Sequence, residues 1–107
     1  MRFYVSEDVF KMIPDAQFGL VSVEGGDNTG ESQEILDLLD SSIKTCAEHF
    51  EGKKVKNEPE LQPYREAFKA IGINPNRYMC AAEALMTRVA KGQGMHSINK
   101  IVDMGNA

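Results

Sequence analysis

Nowhere in this chain do apolar residues run together for the ~20 positions a membrane-spanning helix needs. Glu7, Asp8 and Asp15 interrupt the only N-terminal stretch that resembles a secretory leader. No membrane partner is therefore expected, and the cytoplasm is the expected location. Cysteine is scarce: Cys46 and Cys80 stand alone with no metal-ligand spacing, which argues against a structural metal site and suits a reducing compartment, while leaving a disulfide between them open. Glycine clusters once, in Gly25-Gly26-Asp27-Asn28-Thr29-Gly30. That stretch has no lysine after its last glycine and no G-x-G-x-x-G spacing, and Asp27 and Glu31 would repel an anion. It reads as a turn into a helix with Asn28 or Thr29 as cap, not as a phosphate loop. Internal repeats and low-complexity tracts are also missing. No metal and no cofactor are expected, and no catalytic residue can be assigned.

What is present is one domain's worth of patterned sequence, residues 1–107. Met1 to Val5 alternates as a short strand does, and Gln17 to Glu24, apolar on both faces, reads as an interior strand. Between them Ser6 should cap a brief helix that Pro14 ends. Ile35, Leu39, Ile43, Cys46 and Phe50 recur at helical spacing across Glu31 to Glu51 and predict the strongest helix. Its outer carboxylates Glu34, Asp37, Asp40, Glu48 and Glu51 read as solvated charge, and Cys46 three residues before His49 reads as core packing. A polar linker from Gly52 to Pro59 either binds RNA or only connects. A helix with Pro63 in its first turn and Gly72 past its end follows, then a turn at Ile73-Asn74-Pro75-Asn76 and a helix from Ala81 to Lys91 stopped by Gly92. The last helix carries Ile98, Ile101, Val102 and Gly105 on an apolar stripe and Asn99, Asp103 and Asn106 on a polar one, with Ser97 as its cap. The expected fold is α/β (α+β), a few short strands with three to five helices. Two short strands leave an unpaired edge, so a homodimer through that edge is an expected partner arrangement.

Charge is unevenly placed. Residues 1 to 51 hold 11 acidic and 3 basic side chains, whereas residues 52 to 107 hold 5 acidic and 9 basic ones. Lys53, Lys54, Lys56, Arg65, Lys69, Arg77, Arg88, Lys91 and Lys100 supply a basic half able to line a surface for phosphates, against the plainer reading of solvated helix faces.

The same half carries an ordered set of motifs: Tyr64-Arg65, Gly72-Ile73-Asn74-Pro75, Glu83-Ala84-Leu85 with Arg88, Lys91-Gly92, and Asn99-Lys100-Ile101-Val102-Asp103-Met104-Gly105-Asn106. In order and spacing this resembles the tRNA-editing B3/B4 domain of the phenylalanyl-tRNA synthetase β subunit and its free-standing relatives, specifically over about the last 45 residues and in general layout before that. The resemblance implies the N-terminal half of a B3/B4-like domain, the family domain continuing past the position of Ala107. It implies a tRNA partner, with Arg65, Lys69, Arg88 and Lys100 as RNA-binding residues. It also implies an amino-acid pocket to which Asp103, Gly105 and Asn106 contribute as substrate-binding residues. Two departures stand out. Cys80-Ala81 replaces the serine that would make a capping box with Glu83, and Gly105 replaces a threonine, removing a hydroxyl able to orient water or substrate. The implied function is an RNA-binding, editing-type domain that hydrolyses mischarged aminoacyl-tRNA only when complete. The alternative is a non-enzymatic binding module for an amino-acid-like ligand or a protein partner.

Overall fold

The chain is organised around one long helix. In a computed structural model that describes residues 1–107, α2 spans Gln33–His49 and is preceded by the short α1, Glu7–Met12. Two single 3-10 turns, Val55–Asn57 and Pro59–Leu61, lead into α3, Gln62–Ala70, followed by α4, Ala81–Ala90, and α5, Lys100–Asn106. No helix is long and apolar enough to cross a membrane.

The structure corrects the fold class: it is all-helical, with no residue in a strand, so it is not α/β. Met1 to Val5 and Gln17 to Glu24 keep the alternation that predicts strands, yet no backbone hydrogen bond joins them. Alternation supplies only one requirement of a strand; the other is a ladder partner for its N–H and C=O groups, and a lone pair of short segments is marginal even when aligned. Here the two segments meet only through side chains, the rings of Phe3 and Phe18 lying 6.1 Å apart. The expected homodimer through a strand edge loses its premise, since there is no sheet edge to extend.

The helices begin and end where local chemistry dictates, with two changes from expectation. Ser6 caps α1, its Oγ accepting from the Asp8 N–H at 3.3 Å. Ser32, not Asn28 or Thr29, caps α2 through the Ile35 N–H. Asn28 instead accepts from the N–H of Ile101, 73 residues later, at 3.1 Å, so the glycine-rich turn is tied to the start of α5. Asn99, not Ser97, caps α5 by accepting from the Val102 N–H at 2.9 Å. Gly92 ends α4 in the left-handed region (φ 76°), a conformation that side-chain-bearing residues adopt rarely.

Full burial is confined to residues from Leu39 onward. Phe50, Val55 and Leu61 form a small buried cluster, with Cys46, Cys80 and Met86 against it, and Leu39 and Val89 are buried separately. Both cysteines are free thiols, and desolvation pushes the Cys46 thiol above its ordinary pKa. The molecule is a flat body of 43 × 43 × 18 Å. Its radius of gyration of 16.3 Å exceeds the ~13 Å of a compact domain of this length. Phe18, Leu20, Val21 and Val23 accordingly stay exposed.

α5 is turned inside out relative to its sequence pattern. Ile98, Ile101 and Met104 face solvent, while Asp103 is buried and Asn99, Val102 and Asn106 are half-buried. Asp103 explains the inversion: one carboxylate oxygen accepts the Ser97 hydroxyl at 2.5 Å and the other the Ile98 N–H at 2.8 Å. A buried carboxylate needs such donors, and the chain folds back at residues 97–98 to provide them.

Candidate functional site

The loop after α2 is the most tightly determined irregular segment of the chain. Val55 anchors it in the core, and the Gln62 side-chain amide donates to the carbonyls of Lys56 and Glu58, both at 2.9 Å. The Lys53 N–H donates to the Phe50 carbonyl at 2.9 Å. His49 and Glu58, at the loop's two ends, meet at 3.0 Å. With Val55 pulled inward, Lys53, Lys54 and Lys56 are left exposed along one wall of a groove of about 420 Å³. Glu83, Thr87 and Ala90 of α4 also line it, as does Lys91 at the helix end.

The floor of this groove holds the buried ion pair of the fold. Arg65 on α3 donates to Glu83 on α4 at 2.6 Å, to the Pro75 carbonyl at 3.4 Å, and also to the side-chain oxygen of Asn76. The two charged side chains are 10% and 3% exposed, so they are largely withdrawn from water. Burying either alone would be costly, and pairing with additional hydrogen bonds is what makes the arrangement tolerable. The link joins α3, the Asn74–Asn76 turn and the first turn of α4. The turn is itself shaped by the Asn74 side chain, which accepts the Asn76 N–H at 3.0 Å.

Electrostatically the groove has one sign. Its only carboxylate, Glu83, is paired with Arg65, leaving Lys53, Lys54, Lys56 and Lys91 without an acidic partner in the lining. Such a surface attracts phosphate, sulfate or carboxylate anions and holds them by charge.

A second concavity, about 220 Å³, lies where α5 meets the start of α2, with Glu31, Ser32, Lys100 and Asp103 among its polar walls. Nearby, the Asp27 carboxyl is held below its ordinary pKa by the Thr29 hydroxyl at 2.6 Å, by the Thr29 N–H at 2.9 Å and by the charge of Lys100.

The residues singled out from sequence are distributed unevenly over these features. Of the four assigned to RNA, Arg65 forms the floor of the groove and is engaged internally, whereas Lys69 and Arg88 are exposed on α3 and α4 outside its lining. Lys100 is half-buried and belongs to the second concavity. Of the three assigned to an amino-acid ligand, Asp103 lines that concavity; Gly105 and Asn106 line neither. Gly105 is exposed, and a Cβ there would meet nothing within 4 Å, so packing does not demand glycine. The partnership of Arg65 with Glu83 was not read from sequence. Its signal was an arginine four residues after Leu61, on the face that turns inward. No group of His, Cys, Asp and Glu has the arrangement to hold a metal ion.

No family model, curated protein or solved structure matches the chain at a significant level.

Proposed function

We propose that the chain is an RNA-binding domain that takes the phosphate backbone of tRNA across its basic half, as part of an editing-type architecture. The observation that carries this reading is the groove lined by four exposed lysines, its one carboxylate being paired with Arg65. The resemblance to the B3/B4 domain supports the choice of tRNA. Its motif residues Arg65, Pro75, Glu83, Asn99 and Asp103 form the buried polar links and the α5 cap, the role expected of positions that define a scaffold. The pair of free thiols supports a reducing, cytoplasmic setting.

The test is tRNA binding by fluorescence anisotropy across a salt series. If each of the four groove lysines meets one phosphate, log Kd should change with log salt with a slope of about 3 to 4. Charge reversal at Lys53 and Lys54 should weaken binding while leaving the melting temperature unchanged, since both side chains are exposed. Unaltered affinity in that variant would refute the reading. A second reading, an amino-acid-like ligand, has one observation in its favour: the concavity beside Asp103 offers Glu31 and Lys100, opposite charges suited to an ammonium and a carboxylate.

A further inference from the structure

We infer that the lysine groove is a charge-reading site for compact polyphosphate, two or three linked phosphoryl groups, and that it does not read the base or sugar attached to them. The inference rests on the reading of these lysines as phosphate-binding and says which part of a nucleotide they recognise. Four features of the groove lead to it.

Its size is that of a small-ligand site. About 420 Å³ falls within the ~300–1,000 Å³ usual for such pockets.

Apart from the Arg65–Glu83 pair, its charged lining consists of lysines. Ammonium groups are compact, hydrated point charges with rotatable donors, whereas planar bidentate recognition needs guanidinium. The groove's one guanidinium is committed to Glu83, Pro75 and Asn76 beneath the lysines. What remains free responds to charge density.

No aromatic side chain lines it. Sites that take single-stranded nucleic acid by its bases use aromatic platforms for stacking. The aromatic residues beside lining positions, Tyr64 and Tyr78, belong to other concavities, and the Arg77 guanidinium carbon lies 5.4 Å from the Tyr78 ring centroid.

Its shape is pre-set. Lys53, Lys54 and Lys56 come from a loop held by Val55, by the two Gln62 hydrogen bonds and by the His49–Glu58 contact. Lys91 comes from the end of α4. Charges of one sign brought together this way repel one another, and a ligand carrying several negative charges in a short span relieves all of them at once.

The experiment uses the 107-residue chain with tripolyphosphate as the probe, followed by isothermal titration calorimetry and by competition against labelled tRNA. Tripolyphosphate is expected to bind at least about tenfold more tightly than sulfate at matched ionic strength, because it carries more negative charge to a lining of four lysines. Adenosine monophosphate should bind no better than inorganic phosphate. The exposed-lysine variant Lys54→Glu/Lys91→Glu should lose at least about tenfold in tripolyphosphate affinity while keeping the parent's melting temperature, and Lys69→Glu/Arg88→Glu should not. Equal affinity for tripolyphosphate and sulfate, or an unaffected Lys54→Glu/Lys91→Glu variant, overturns the inference. The two proposals fail separately. If tRNA binds through the lysines but tripolyphosphate does not displace it, the groove reads more than phosphate, and the inference falls while the RNA reading stands. If tripolyphosphate binds and tRNA does not, the site is one for free polyphosphate, and the RNA reading falls while the inference stands.

Discussion

Replacing Arg65 by methionine should cost this fold a large part of its stability, because it removes the cation from a carboxylate that has no other. Glu83 is 2% exposed and Arg65 8%, and the 2.6 Å contact between them spans α3 and α4. Breaking a buried pair by deleting one partner costs ~3–5 kcal/mol, chiefly through the uncompensated charge left behind. The loss also frees the Pro75 carbonyl and the Asn76 side chain, which hold the intervening turn. A domain of this length has only ~5–15 kcal/mol in total, and each kcal/mol moves Tm by ~4–8 °C. Thermal melts followed by far-UV circular dichroism should therefore show Tm falling by at least about 12 °C. The double variant Arg65→Met/Glu83→Leu should recover most of that loss, since an apolar pair of similar volume often replaces a buried ion pair without penalty. A single variant melting within about 4 °C of the parent, a change near 1 kcal/mol, would refute the reasoning. Arg65 would then be better regarded as a phosphate ligand than as an internal brace.

Two further outcomes follow from the α5 region. Asp103→Ala removes the acceptor of the Ser97 hydroxyl and the Ile98 N–H from a side chain 2% exposed; urea denaturation should show a loss of ~2–3 kcal/mol, as for a charged acceptor whose donors are stranded. Asp27 should titrate below the ordinary carboxylate range when followed by NMR, and Thr29→Val should move it back toward ordinary, because the Thr29 hydroxyl is the largest cause of the depression, ahead of the Thr29 N–H and Lys100. A carboxyl depressed in the folded state adds stability that is present above its unfolded pKa of ~3.9 and is lost as pH falls through the lower folded value. The parent should therefore lose an acid-dependent increment of stability below about pH 4, and Thr29→Val should show a smaller one.

The helices were the most legible part of the chain. Apolar spacing located α2, α3 and α4, and Ser6, Pro63, Gly72 and Gly92 marked their limits, because caps and breakers act through hydrogen bonds and φ angles within a few residues. The two strands were misread for the opposite reason. Gln17 to Glu24 has the alternation, but a ladder needs a second segment in register, and that requirement is not local. α5 was legible as a helix with an apolar and a polar stripe, but which stripe turns in is decided by the two hydrogen bonds that Asp103 accepts from residues 97 and 98.

The candidate site divides along the same line. Composition alone placed the positive charge after residue 52, and the polar linker holding Lys53, Lys54 and Lys56 read equally as an RNA-binding loop or a plain connection. Lys91 joins them from α4 only because Val55, Gln62 and the Arg65–Glu83 pair dock the loop, α3 and α4 against one another. The same docking withdraws Arg65 from the surface and makes it a brace. Sequence by itself determined where the helices run and which half is basic, since both depend on residue type and short spacing. Tertiary structure decided which charges converge and which are buried, because those depend on contacts between residues as far apart as Asn28 and Ile101.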